Sequence, residues 1–274
     1  MADVELKDHE FAQFQRLIFQ LAGISLSSAK KTLVQGRLSK RLDHHGVASF
    51  TAYYRYLQLH PAECQLAVDL LTTNETYFFR EPRHFDWLQQ QVLIPYRDRS
   101  SRSSALPLRL WSAAASSGEE AYSMAMSCAD ILGRQGWEVM GSDISHRVLA
   151  KARRGLYEMT RTDGIPERYL KAFCLKGTGQ YAGHLLVEPK LREKVRFVPV
   201  NLNENLPDVG EFDVIFLRNI LIYFTMETKQ QVLDRVIRRL RMGGWLFIGH
   251  SETLNGIDHK LIQRAPAVYQ KVPA

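Results

Sequence analysis

The first residues whose types and spacing could do chemistry are a turn of very small side chains followed by two carboxylates. Residues 108–123 read Leu-Arg-Leu-Trp-Ser-Ala-Ala-Ala-Ser-Ser-Gly-Glu-Glu-Ala-Tyr-Ser. Leu108, Leu110 and Trp111 form a short apolar run that reads as a buried strand. Ser112 to Gly118 are then the smallest residues available, and a helix-favouring run extends from Ala121 to Leu132. A strand, a tight small-residue turn and a helix let backbone approach a bound nucleotide. An ordinary β–α turn without a ligand has the same outline.

A second feature bears on that choice. The next apolar run, from Trp137, ends in Asp143. An acid at the end of a second strand, about 20 residues past the glycine turn, is placed to accept hydrogen bonds from ribose hydroxyls. The competing role is a helix N-cap, since Ser145 and an apolar-periodic segment follow. The turn lacks the G-x-G-x-x-G pattern, which argues against a pyrophosphate cradle. A nucleoside without a diphosphate fits better, and S-adenosylmethionine is the commonest such ligand for this topology.

The third chemical group is Phe212–Phe224, Phe-Asp-Val-Ile-Phe-Leu-Arg-Asn-Ile-Leu-Ile-Tyr-Phe. Its buried strand ends in Arg218-Asn219, and ligands sit at the carboxyl ends of strands in open α/β sheets. No Asp/Asn-Pro-Pro-aromatic run, of the kind that holds a nitrogen nucleophile, stands here. Arg218 and Tyr223 are suited instead to orienting a carboxylate, although a core tyrosine is the alternative for Tyr223. The nine histidines are scattered without an H-E-x-x-H pattern, and Cys64, Cys128 and Cys174 are far apart. No metal site is expected.

The elements that must position these groups follow from periodicity. Phe11, Phe14, Leu17, Ile18 and Leu21 fall at helical spacing before Gly23, a plausible stop. A second helix is expected from Ser27 or Ser28 to His45, closed by Gly46, then helices over 49–60 and 63–71. On the second, Lys30, Lys31, Arg37, Lys40 and Arg41 occur without an intervening acid; they form either a solvated face or a docking face for an acidic helix or phosphates. Within residues 71–88, Thr72, Thr73 and Asn74 interrupt the helical pattern and read as a polar connection between packed helices. A helix from Pro82 to about Arg97 leads to the Ser-rich stretch 97–107, the clearest linker. Strand and helix then alternate over 108–112, 119–132, 137–142 and 146–153, which predicts a mostly parallel sheet covered by helices. A small antiparallel excursion is expected over about 176–195. The parallel pattern resumes with 195–203, 212–224, a helix 225–241 and 243–252, and residues 265–272 read as a last edge strand.

Composition bounds the class. With 274 residues, 45% hydrophobic and 24% charged, the chain is that of a globular protein of one large or two modest domains. The segment MADVELKDHEF lacks an apolar signal region, and no apolar run reaches membrane-spanning length; a cytoplasmic location is expected. A net charge of +7 calls for an acidic partner.

Taken together, the motifs LTTNETYFFRE (71–81), WSAAASSGEEAYS (111–123), SDIS (142–145), GTGQYAG (177–183), VNLNENLP (200–207), FLRNILIYF (216–224) and GHSETL (249–254) resemble those of the CheR family of chemotaxis-receptor glutamate O-methyltransferases. The resemblance runs over nearly the whole chain. It implies a class I S-adenosylmethionine-dependent methyltransferase fold, Rossmann-like, with a helical N-terminal docking domain (1–80), a connecting helix and linker (81–107) and a methyltransferase domain (108–274) carrying the β-subdomain. Asn74, Thr76 and Arg80 match the segment that closes over the cofactor, which displaces the plain-connection reading. Gly118 with Glu119 and Glu120 match the cofactor loop, without a choice between the two glutamates. Asp143 matches the ribose acid, Asn201 and Leu202 the pair flanking the adenine, Arg218 and Asn219 the methionine end, and Tyr223 a tyrosine near the transferred methyl. Gly177, Gly179 and Gly183 match the β-subdomain that, in some members, adds a receptor C-terminal pentapeptide as an edge strand. Glu75, within TTN-x-T, departs from the pattern. Lys30, Arg37 and Arg41 would dock the receptor's acidic methylation helices.

Two other classes fit parts of the chain. A nucleic-acid methyltransferase would use the basic helix on phosphates, but stacking aromatics and the Pro-Pro motif are missing. A non-catalytic cofactor sensor would bind without turnover. Neither nucleic acid nor membrane insertion is expected.

Overall fold

The computed structural model describes residues 4–100 and 106–273. The expected linker 97–107 is therefore described only at its ends; its residues 101–105 lie outside the described residues.

Four helices come first: α1 (Asp8–Ala22), α2 (Lys31–His45), α3 (Phe50–Leu59) and α4 (Pro61–Leu71). Phe11, Phe14, Ile18 and Ala22 make the buried stripe of α1. The helix ends because Gly23 takes φ +72°, and a Cβ there would come within 2.8 Å of Thr228 and 2.9 Å of Asn203. Ser49 caps α3 by accepting from Ala52 N–H, and Pro61 opens α4 where its missing N–H is not needed. A helical run then joins α5 (Pro82–Trp87), a π-helical turn (Leu88–Leu93) and α6 (Ile94–Ser100). Phe85, Leu88, Val92 and Leu93 pack into the same core as the sheet domain, so this run belongs energetically to the sheet rather than to a spacer.

The remaining elements are β1 (Leu108–Ser112), α7 (Glu119–Leu132), β2 (Trp137–Asp143), α8 (His146–Arg154), β3 (Leu156–Glu158), α9 (Glu167–Phe173), β4 (Cys174–Lys176), β5 (His184–Val187), α10 (Pro189–Arg192), β6 (Val195–Pro199), β7 (Phe212–Leu217), α11 (Met226–Arg238), β8 (Leu240–Ile248), β9 (Leu261–Ala265) and β10 (Val268–Lys271). The main sheet has the order β6-β2-β1-β7-β8-β10-β9. Its first five strands are parallel, and β10 and β9 are antiparallel additions. The last strand is thus not the edge. β10 slots between β8 and β9, because Val268 and Tyr269 are apolar enough for an interior position while β9 is largely exposed.

Two apolar cores flank the sheet. One runs continuously from Phe14 and Leu71 of the helical bundle to Ile215, Leu217, Leu221 and Val232. The other holds Phe216, Phe247, Met124 and Phe85. The antiparallel excursion is wider than 176–195: β3 pairs with β5, and β5 with β4, so the small sheet starts at Leu156. A strand of three residues between Gly155 and a 3₁₀ turn is too short to show a period-two pattern.

Candidate functional site

Parallel registry brings the useful strand ends to one edge. Ser112 of β1 lies opposite Gly141 of β2 and Phe216 of β7, and Asp143 lies opposite Pro199 of β6. Backbone strain gathers here as well: of the five described non-glycine residues with positive φ, Phe79, Glu81, Ser116 and Asn219 surround this edge. Such conformations persist where the surrounding structure over-determines them.

The edge opens into a cavity of about 310 Å³ between the sheet and the helical bundle, within the roughly 300–1,000 Å³ of small-molecule sites. Its floor is the small-residue turn (Ala113, Ala114, Ser116), its sides include Ile144, Val200 and Leu202, and its roof is the segment 71–76. Asn74, Thr76, Arg80, Glu120, Asp143, Asn201, Leu202, Arg218, Asn219 and Tyr223 all line it, as does Lys30. The seam is tied by backbone: Ser25 N–H donates to Tyr223 O at 2.8 Å, Ile24 bridges Phe224, and Ser116 Oγ donates to Asn74 O at 2.9 Å.

Asp143 is 8% exposed. Its Oδ2 accepts from Ser116 N–H and its Oδ1 from Ser145 N–H, each at 2.9 Å. Burial pushes its pKa up to about 6, against the pull of those two amides. The helix cap of α8 is Ser145, whose hydroxyl accepts from Val148 N–H. Asp143, relieved of the capping role, lines the cavity. Asn201 donates to Leu21 O (2.6 Å) and Glu204 (2.9 Å), which fixes the far wall to the helical bundle.

At the other end, Glu120 accepts from Ser112 Oγ at 2.7 Å and from Arg218 Nη1 at 3.0 Å. Arg218 Nη2 donates to Glu81 Oε2 (2.9 Å) and Arg80 O (2.6 Å). The Arg218 side chain is fully buried, with its guanidinium near the rings of Phe85 and Phe216. Both terminal nitrogens are engaged inside the chain, so Arg218 anchors two carboxylates, while its Nε is buried without a partner beside the cavity. Asn219 is held by Glu252, which accepts from the amides of Asn219, Leu221 and Gly249 at 2.6–2.8 Å. Tyr223 is half-buried, and among the described residues no group bonds its hydroxyl.

Several expected site residues stand elsewhere. Gly118 does not line the cavity. At φ +97° it lets α7 start against its neighbours, where a Cβ would meet Ala152 at 2.8 Å. Glu119 is 1% exposed and takes Ser117 Oγ rather than facing the cavity, so Glu120 is the carboxylate of the pair that does. Gly177, Gly179 and Gly183 shape the β4–β5 connection; a Cβ on Gly177 would lie 2.0 Å from Tyr181 O. On α2, Arg41 binds Glu63 through Nε (2.8 Å) and Nη2 (2.7 Å), and Arg37 caps α4 by donating to Leu71 O and Thr72 O. Both hold the bundle together. Only Lys30 of the three expected docking residues is exposed, at the cavity mouth. Glu75 is exposed at the mouth, with its carbonyl accepting from Arg80. Sequence reasoning missed Glu81 and Glu252, which stand in the quoted motifs but touch their partners across more than 30 residues of chain.

Known proteins were compared with the chain as a whole. Residues 74–269 match the family model described as the CheR methyltransferase, SAM binding domain, and residues 9–72 the model for its all-alpha domain. The chain is 39% identical over 269 residues to the chemotaxis protein methyltransferase of Escherichia coli (strain K12), covering 96% of this chain and 91% of that protein. It is 40% identical over 263 residues to chemotaxis protein methyltransferase 2 of Pseudomonas aeruginosa, with 95% and 92% covered. A third relative, the chemotaxis protein methyltransferase of Borreliella burgdorferi, shares 35% over 276 residues, 98% and 96% of the two chains. With both domain models matched end to end around this cavity, the chain belongs to the CheR methyltransferase family.

Proposed function

We propose that the protein transfers a methyl group from S-adenosylmethionine to glutamate side chains of chemotaxis receptors, giving glutamate methyl esters and S-adenosylhomocysteine. The observation that carries this reading is the seam cavity, where Asp143, Glu120, Asn201 and Tyr223 converge from separate segments of the chain within a domain family that binds this cofactor.

Bound S-adenosylmethionine supplies a methyl group already activated on a sulfonium. A receptor glutamate is ionised at pH 7, so no general base is needed. The chain's tasks are binding, alignment and exclusion of water. Asp143 accepts from the ribose hydroxyls, and Ile144, Val200 and Leu202 provide the apolar slot for the adenine, with Asn201 at its edge. Arg80 and Glu120 would offer opposite charges to the carboxylate and ammonium of the methionine end, with Asn74 and Thr76 lining the same cavity. Arg218 holds Glu120, and Glu252 holds the 219–222 loop from behind, with Asn219 at the cavity wall. The hydroxyl of Tyr223 would donate to one oxygen of the incoming carboxylate and so orient it for transfer.

The partners are the receptor's cytoplasmic methylation helices, which puts the protein in the cytoplasm; no described helix is long and apolar enough to cross a membrane. A groove beside the cavity, which presents the exposed Arg147, Lys151 and Arg161 together with Glu75, supports an acidic substrate helix. The exposed edge of β4 is where a receptor C-terminal pentapeptide would add as a strand. Nucleic acid has no part in this scheme.

The test is Tyr223→Phe, assayed with receptor-containing membranes and labelled cofactor. The expected result is a fall in kcat of about tenfold or more with unchanged cofactor affinity. An unchanged kcat removes Tyr223 from the reaction.

A further inference from the structure

Behind the cavity, Glu81, His84 and His250 converge although the two histidines are far apart in sequence. Their donor atoms all lie within 4.8 Å of one another. His84 Nδ1 stands 3.4 Å from Glu81 Oε2, and His250 Nε2 stands 3.9 Å from the same oxygen. A tetrahedral shell with metal–ligand distances of about 2.0–2.2 Å sets neighbouring donors about 3.3 Å apart. The trio needs only small side-chain movements to reach that spacing.

An independent observation points to a missing ligand. His84 is 2% exposed, yet neither of its ring nitrogens has a hydrogen-bond partner. Buried polar atoms are almost always satisfied, and one that is not calls for an explanation such as an ion. Access is provided by a separate surface cavity lined by Arg83, His84, Trp87, His250, Thr253 and Tyr269. Two imidazoles and one carboxylate, with a fourth position open to that cavity, are the donor set of zinc-class dications.

We propose that Glu81, His84 and His250 bind one zinc-class transition-metal dication, and that this ion antagonises the cofactor site. The antagonism follows from what Glu81 already does. Its Oε2 accepts from Arg218 Nη2 (2.9 Å) and His250 N–H (3.2 Å), and its Oε1 meets Asn219 Nδ2 at 3.4 Å. An ion on Oε2 competes with Arg218 for the same lone pairs. Loosening Arg218 frees Glu120, whose carboxylate that guanidinium holds at the cavity wall. Coupling of this kind is reciprocal, so bound cofactor also weakens the ion.

The experiment uses the full chain without an affinity tag, stripped with chelator and titrated with Co²⁺ as a spectroscopic probe and with Zn²⁺ by calorimetry. The expected result is one ion per chain with visible Co²⁺ absorption of a tetrahedral nitrogen/oxygen site. His250→Ala, chosen because His250 is exposed and its loss leaves the core intact, weakens the ion by about 10- to 100-fold or more. Binding that survives His250→Ala overturns the site and places the ion elsewhere. The antagonism is read from the affinity for S-adenosylhomocysteine, expected to fall about fivefold or more with saturating Zn²⁺ in the parent chain and not in His250→Ala. Unchanged affinity in the parent chain overturns the antagonism. Ion binding is measured without cofactor or receptor, so its failure is separable from failure of the transferase reading.

Discussion

Asp143 shows how one carboxylate serves both fold and site. Its two amide bonds pin the small-residue turn to the start of α8, and its place on the cavity wall is what a ribose would use. Replacing it with alanine is expected to weaken S-adenosylmethionine binding by about 1–3 kcal/mol, the cost of an unpaired polar group, measured by calorimetry; unchanged affinity removes Asp143 from the ribose. Burial raises its pKa to about 6, and hydroxyl donors favour the ionised form. Cofactor affinity is therefore expected to be level near pH 7 and above, and to fall as the pH drops through about 6, with that dependence absent in Asp143→Asn. Arg218 makes the complementary case. Its removal strands Glu81 and Glu120 in the interior, and Arg218→Ala is expected to cost about 3–5 kcal/mol in denaturant unfolding. A loss below 1 kcal/mol would mean that water reaches those carboxylates.

At the scale of elements, α2 is a fastening rather than a free basic face. Burial pushes Glu63 up, but hydrogen bonds from Arg41, Tyr53 and His45 outweigh it and bring its pKa down to about 2. A carboxylate depressed below its unfolded value of 4.5 supplies stability that is complete above that value and is lost as pH falls toward about 2. Arg41→Ala removes the cation from buried Glu63 and leaves it only Tyr53 and His45, so it is expected to destabilise the bundle by about 1–3 kcal/mol and to weaken that acid dependence in thermal melts. Reversing the exposed Lys30 and Lys151 to glutamate is expected to raise KM for receptor while leaving the melting temperature unchanged; a drop in melting temperature would make them structural too. These contrasts mark what sequence could carry. The strands β1 and β2 and the helices α1, α7 and α8 are legible because their apolar periods are local and their caps, Gly23, Gly118 and Ser145, stand beside them. The fate of Arg37 and Arg41 was not, because a basic stripe reads the same whether solvent or Glu63 faces it. Nor was the placing of β10 inside the sheet, the three-residue β3, or the meeting of His84 with His250, since each depends on contacts remote in sequence.

In the whole molecule, the cavity belongs to neither half alone. The apolar core passes from Phe14 and Leu71 through to Leu217 and Val232 without a break, and Ser25, Tyr223 and Asn201 stitch the two halves across the cavity rim. The helical bundle is thus one wall of the site, and the seam lets segment 71–76 cover a ligand seated on the sheet edge. The most direct measurement is transfer of a labelled methyl group from S-adenosylmethionine to receptor-containing membranes, followed by mild alkali. The account predicts label incorporated into receptor and released as volatile methanol, the mark of a carboxyl methyl ester. Label that stays bound through alkali would place the methyl on nitrogen or another stable acceptor and contradict glutamate as the substrate.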